Sequence, residues 1–214
     1  MLRERLLAVG RELYSSGMIA GTWGNISVWD DVKNAFWITP SGMDYLTLVP
    51  EDLVLIDITG QTKEGFRKPS SEFLMHLDIY RARSDVKGIV HTHSVYATAH
   101  AVANKCIPPI VEDMAQIVGG SVETASYELP GTEELALAVV VGLGEKNAVL
   151  LANHGLVGVG RNLEEAFKVC QVVEKGAQIH LMSYLLGTPV LLSDEDVRKM
   201  RSDYLNKYGQ RKGE

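Results

Sequence analysis

The segment "NISVWDDVKNAFWITPSG", residues 25–42, limits the fold more than any other stretch of this chain. Two runs rich in β-branched and aromatic residues are separated only by Asp30, Asp31, Val32, Lys33 and Asn34. That gap is too short for a crossover helix, so the runs pair as an antiparallel hairpin. "DLVLIDITG" reads as a third strand, and the tight turn "TGQT" returns a short fourth one. Further strands are expected in "VKGIVHTHS", "NAVLLANHG" and "LVGVGR".

Helices fall between and after these strands. Leu2, Leu6, Val9 and Leu13 share one helical face that ends near Gly17. Phe73, Leu77 and Tyr80 give helical spacing after Pro69, with Ser70 or Ser71 as the N-cap. Ser94 opens "SVYATAHAVANK", Thr132 opens "EELALAVVVGLG", Asn162 caps a helix reaching about Leu186, and Ser193 starts a last one. The stretch from Pro108 and Pro109 to "SYELPGTEE" reads as irregular. The expectation is one α/β domain over residues 1–214, with helices covering a mixed, largely antiparallel sheet.

Charge and length exclude several function classes. The 214 residues carry 21 basic and 27 acidic side chains, a net charge of −6, and basic residues gather only in the tail "QRKGE". Neither a nucleic acid nor an anionic membrane surface is the expected main partner. "MLRERLLAVG" lacks the apolar run of a signal peptide, and the longest apolar stretches are too short to span a bilayer. Cys106 and Cys170 are far apart without CxxC spacing, so reduced thiols and a cytoplasmic location are expected.

"IVHTHS" ends an apolar strand with two histidines one residue apart. Alternate strand residues share a face, so His91 and His93 project together. Two protonated imidazoles there repel, whereas a cation between two neutral rings removes the objection. His154 in "ANHGLVGVG" stands beside a glycine at another strand end, and Glu72 lies at a helix start. Three imidazoles and a carboxylate suit a divalent transition metal, with Zn²⁺ the commonest choice and Mn²⁺ or Co²⁺ the alternatives. His76, one helical turn beyond Glu72, is a rival ligand, while His100 and His180 fall inside helices in packing or surface roles.

Three small, polar turns add an anion signal. Gly24 and Asn25 precede a strand, Ser41 and Gly42 follow one, and Ser70 and Ser71 stand at a helix start. Glycines let backbone N–H groups close on an anion, and hydroxyls and an amide add donors. Together they make a phosphate cradle with little formal positive charge.

The motifs "GTWGNIS", "ITPSGMDY", "RKPSSEFLMH", "IVHTHS" and "LLANHGLVGVG" occur in this order in the class II, metal-dependent sugar-phosphate aldolases and ribulose-phosphate 4-epimerases. The chain resembles that family from about residue 5 to residue 186, and most resembles its L-fuculose-1-phosphate aldolase branch. The resemblance implies a three-layer α/β/α sandwich and a homotetramer with active sites at subunit interfaces. It implies a divalent ion on His91, His93 and His154, and Glu72 as both ligand and acid/base. It assigns the phosphate to Gly24, Asn25, Ser41, Gly42, Ser70 and Ser71. The implied reaction cleaves a ketose 1-phosphate to dihydroxyacetone phosphate and an aldehyde through a metal-stabilised enediolate.

Glutamate after the paired serines is similar to the aldolase branch, since the epimerases carry aspartate there. Related dehydratases and decarboxylases also carry glutamate, so they remain alternatives, as does a non-enzymatic scaffold of the same fold. The complete metal set argues against the scaffold. One departure stands out. In "IVEDMAQ", Asp113 falls where the aldolase most resembled carries a tyrosine that acts on the aldehyde oxygen from a neighbouring subunit. Tyr204 and Tyr208 are further candidates to close the site.

Overall fold

A computed structural model describes residues 2–208, so the basic tail "QRKGE" lies outside the described residues. The chain starts with α1 (Leu2–Ser15), which ends as expected before Gly17, where φ is +71°. The hairpin β1 (Asn25–Asp30) and β2 (Ala35–Ile38) follows, its turn closed by Asn34 in the left-handed region. Then come β3 (Val54–Asp57) and β4 (Thr62–Glu64), α2 (Phe73–Ala82), β5 (Gly88–Thr92) and α3 (Val95–Val102). The chain continues through α4 (Glu112–Val118), β6 (Thr124–Ala125) and α5 (Glu133–Leu143). It finishes with β7 (Ala148–Leu151) and β8 (Gly155–Gly160), α6 (Leu163–Ser183) and α7 (Asp194–Lys207).

The strands form one sheet in the order β4-β3-β2-β1-β5-β8-β7-β6. Every pairing is antiparallel except β6 with β7. Because side chains alternate along a strand, the sheet supplies two cores at once. Val90, Leu150 and Leu156 pack with Leu6, Leu13, Ala97, Met114 and Val173, so α1, α3, α4 and α6 cover one face. Ile89, Val149 and Val157 pack with Met75, Ile79, Leu135 and Val139, so α2 and α5 cover the other. The three-layer α/β/α arrangement follows. Each fully buried aliphatic or aromatic side chain contributes about 1.5–3 kcal/mol.

The structure departs from the sequence reading in four places. The stretch read as irregular contains α4 and β6. Only seven residues long, α4 is too short for its periodicity to stand out, yet Met114, Ala115, Ile117 and Val118 are buried on it and Gly119 ends it at φ +91°. Neither Ser70 nor Ser71 caps α2. Glu72 takes that position, because Ser70 is tied to the end of β2 through Ser70 N–H to Thr39 O (3.0 Å). Ser94 does open α3, but its hydroxyl makes no cap bond, and the Glu174 carboxylate of α6 instead accepts from Tyr96 N–H and Ala97 N–H at 2.9 and 2.8 Å. Helix α6 ends at Ser183 rather than near Leu186. Thr132, Asn162 and Ser193 do cap their helices, accepting from Leu135, Glu165 and Asp196 N–H.

Candidate metal centre and active site

The histidines meet at the end of the sheet where β1, β5 and β8 lie side by side. His91 is the fourth residue of β5 and stands opposite Asn25 on β1 and Val157 on β8. His93 follows two residues later, just past the strand. His154 sits in the turn between β7 and β8, delivered by Asn153 in the left-handed region (φ 55°). Gly155 makes this approach possible. A Cβ there would lie 2.3 Å from Thr92 O, 3.1 Å from His93 Cδ2 and 3.3 Å from His91 Cε1.

The three Nε2 atoms converge. His91 Nε2 is 3.0 Å from His93 Nε2 and 3.3 Å from His154 Nε2, with the rings edge to face at 68–77°. His91 Nδ1 lies 3.0 Å from Leu156 O, a carbonyl that only accepts, so Nδ1 carries the hydrogen and Nε2 presents its lone pair. Glu72 completes the group, with Oε2 3.4 Å from His91 Nε2 and Oε1 3.5 Å from His154 Nε2. Asn25 Nδ2 donates to Glu72 Oε2 at 2.8 Å, whereas Oε1 is buried with no hydrogen-bond partner.

Burial, reinforced by His154 and His93, holds His91 far below the usual imidazole range. Burial also lowers His93, with His154 adding to the effect and Glu72 opposing it. Three imidazole Nε2 atoms gathered at one point, beside a carboxylate oxygen lacking a partner, make a donor set that suits a divalent cation. The residues fit the group that the sequence anticipated.

Every residue assigned to the phosphate lines one cleft of about 420 Å³: Gly24, Asn25, Ser41, Gly42, Ser70 and Ser71. Glu72, His93 and His154 line the same cleft. Gly24 is needed here, since its φ is +86° and a Cβ would come within 2.8 Å of His91 O. Sequence reasoning missed Thr22, Trp23, Pro40 and Pro130 on the same walls. The Trp23 indole is 68% exposed and tilts 6.2 Å from the His93 ring. A large aromatic between glycines in "GTWGN" was the available signal.

Other candidates lie elsewhere. His76 is not beside the three Nε2 atoms but behind Glu72, bonded to Asn25 and Ser27. His100 Nε2 and His180 Nδ1 pair with each other at 2.9 Å between α3 and α6. Asp113 lies on α4 outside the cleft, its Oδ2 paired with Lys175 and its Oδ1 buried without a partner. Tyr204 reaches Glu165 (3.4 Å) and its ring lies tilted 5.1 Å from that of Tyr208, and neither lines the cleft. A larger cleft of about 930 Å³ is lined by Arg83, Arg161 and Arg201 but contains none of the histidines. There Arg83 is paired with Asp85, and Arg161 with Glu165.

Comparison with known proteins identifies the family. Residues 4–181 match the family described as class II aldolase and adducin N-terminal domain. The 5-deoxy-D-ribulose 1-phosphate aldolase of Bacillus thuringiensis serovar kurstaki is 40% identical over 97% of both chains. The L-fuculose phosphate aldolase of Escherichia coli K12 is 36% identical over 92% of this chain and 90% of its own. A solved L-fuculose 1-phosphate aldolase superposes with a TM-score of 0.92 at 37% identity, covering 95% of this chain and 96% of that one. With a shared fold, a shared sequence over nearly the whole length and a converging donor set, this chain belongs to the class II aldolase family, as an enzyme of the lyase type.

Proposed function

We propose that this enzyme reversibly cleaves a ketose 1-phosphate of the 5-deoxyribulose, fuculose or rhamnulose type to dihydroxyacetone phosphate and an aldehyde. One observation carries the reading. His93, His154 and Glu72, gathered with the buried His91 around one point, line the same cleft as Ser41, Gly42, Ser70 and Ser71. The relatives named for such aldolases support it. So do two cysteines without a disulfide, which suit a cytoplasmic enzyme.

His91, His93, His154 and Glu72 would hold the divalent ion, and we assign Zn²⁺ to them. Bound there, the ion supplies Lewis-acid stabilisation of the negative charge that develops as the carbon–carbon bond breaks. The serine hydroxyls and the backbone N–H groups at Gly24 and Gly42 hold the phosphate and so place the scissile bond against the histidine wall. During cleavage the hydroxyl beside that bond passes its proton to the carboxylate assigned to the aldehyde oxygen, Asp113 of a neighbouring subunit, and becomes the aldehyde, while the bonding pair stays on the donor carbon. Glu72 delivers a proton to that carbon, and in the condensation direction removes it.

Asp113 is the group we assign to the aldehyde oxygen. It lies outside its own chain's cleft, so the assignment requires a neighbouring subunit, and we propose a homotetramer with sites at the interfaces. The whole chain then acts as one catalytic domain.

The test is retro-aldol cleavage of the three ketose 1-phosphate types on protein reconstituted with Zn²⁺, with and without chelator. Chelator-sensitive release of dihydroxyacetone phosphate is expected. No cleavage of any of them, or cleavage indifferent to chelator, rejects the reading. Conversion without cleavage assigns the site to an epimerase, dehydratase or decarboxylase instead.

A further inference from the structure

Behind Glu72 runs a buried chain of hydrogen bonds that the reaction above does not use. Asn25 Nδ2 donates to Glu72 Oε2 (2.8 Å), Asn25 Oδ1 meets His76 Nε2 (2.5 Å), His76 Nδ1 meets Ser27 Oγ (2.6 Å), and Ser27 Oγ meets Tyr80 OH (2.9 Å). All five side chains are buried, with Ser27 and His76 fully so.

The chain exists because two periodicities coincide. Asn25 and Ser27 are alternate residues of β1 and point to the same face, about 6.6 Å apart along the strand. Glu72, His76 and Tyr80 are four residues apart on α2, about 6 Å per step along the helix. Laid against each other, helix and strand offer their polar groups in alternation: Glu72, Asn25, His76, Ser27, Tyr80. Trp29, next on the same strand face, packs its ring 5.3 Å from that of Tyr80 and closes the far end.

The direction of every bond follows from Glu72. A carboxylate oxygen only accepts, so Asn25 must turn its NH₂ toward it and its oxygen toward His76. His76 Nε2 must then carry a hydrogen. Burial keeps the ring neutral, its pKa lowered to about 3 with His91 adding to the effect and Glu72 opposing it. Nδ1 therefore accepts from the Ser27 hydroxyl, which in turn accepts from Tyr80. Four groups donate in one sense toward one oxygen, and such aligned bonds strengthen one another.

We propose that His76 is a positioning residue for Glu72: through Asn25, and backed by Ser27 and Tyr80, it tethers Oε2 and leaves Oε1 as the oxygen directed at the reacting centre. Glu72 Oε1 is the buried atom without a partner, 3.5 Å from His154 Nε2. A carboxylate tethered at one oxygen moves a proton at the other from a single geometry. An untethered one swings between rotamers. Asn25 is then shared, one of its amide hydrogens serving Glu72 while the other remains for the cleft it lines.

This rests on the aldolase reading, and the test separates the two. Wild type, His76→Leu, His76→Gln and Tyr80→Phe are compared as Zn²⁺-loaded protein in retro-aldol kinetics, metal content, thermal unfolding and long-range ¹H–¹⁵N spectra of the imidazoles. Gln places an N–H where His76 Nε2 has one. His76→Leu is expected to lower kcat about 10–100-fold with KM changed less than about threefold. His76→Gln is expected to restore most of kcat, and Tyr80→Phe to lower it only a few-fold.

The wild-type spectrum is expected to show His76 as the neutral Nε2–H tautomer from about pH 5 to pH 8. Equal loss of kcat in the Leu and Gln variants in step with lost melting temperature, unchanged kcat in His76→Leu, or an Nδ1–H tautomer each overturns the positioning role. If the wild type cleaves no ketose 1-phosphate, the aldolase reading fails, and the tautomer still decides the orientation of the chain.

Discussion

His91 Nδ1 and the carbonyl oxygen of Leu156 face each other at 3.0 Å across the β5–β8 pairing, and this bond sets the tautomer of the central histidine. The sheet itself thereby aims a lone pair at His93, His154 and Glu72 before any ion arrives. A backbone carbonyl in this role cannot be removed by mutation, but the ring it orients can. His91→Asn is expected to abolish stoichiometric Zn²⁺ binding and to lower kcat at least about 100-fold while far-UV circular dichroism stays unchanged. Metal analysis showing a full equivalent of bound ion in His91→Asn would remove the histidines from the mechanism.

Chelation makes the same point without a mutation. Stripping the ion from the wild type is expected to abolish cleavage and lower the melting temperature, because a ligand bound only to the folded state adds RT ln(1 + [L]/Kd) to its stability. Adding Zn²⁺ back should restore both. The check is calorimetry and activity on one sample through one cycle.

Gly155→Ala tests the closeness of β8 to the histidines. The new Cβ would sit 2.3 Å from the Thr92 carbonyl oxygen, a backbone atom that cannot swing aside, and 3.1–3.3 Å from the His93 and His91 rings. A loss of about 1–3 kcal/mol in unfolding free energy is expected, with weaker metal binding. Denaturant titration and metal titration read the two effects separately.

The buried histidines make the metal-free protein acid-sensitive. Burial lowers the pKa of His76 to about 3 and holds that of His91 well below its ordinary value. The unfolded chain takes up these protons near pH 6.5, before the folded chain can. Stability is therefore full above about pH 6.5 and falls toward pH 3, at most about 1.4 kcal/mol per pH unit for each histidine. Urea midpoints of metal-free protein across that range measure the slope, and His76→Gln should reduce it.

The phosphate walls predict a change in KM. Ser71→Ala removes a hydroxyl of an exposed residue that lines the cleft. Hydrogen bonds to charged groups contribute about 1.5–3 kcal/mol, so KM for a phosphorylated substrate should rise about 10–100-fold with little change in melting temperature. A KM unmoved within twofold would take Ser71 out of the phosphate site.

Asp113→Asn examines the aldehyde end. Loss of kcat with intact Zn²⁺ content is expected if the carboxyl reaches a neighbouring subunit's cleft. The Lys175→Met variant, which removes the partner of Asp113, controls for the ion pair. Equal kinetics in wild type and Asp113→Asn would leave that carboxyl as a surface group.

Local rules carried much of this protein. The hairpin from Asn25 to Ile38, the caps at Thr132, Asn162 and Ser193, and the paired projection of His91 and His93 all follow from turn chemistry and the two-residue period of a strand. Those signals are encoded within a few residues of where they act. Helix α4 escaped because seven residues hold too little periodicity, and the capping of α3 by Glu174 spans nearly eighty residues of chain. Only the packed sheet brought His154 to within 3.3 Å of His91 and laid Asn25 and Ser27 against Glu72, His76 and Tyr80. The physical reason is distance along the chain. Residue type and spacing state which groups are available, and strand order and helix packing decide which of them touch.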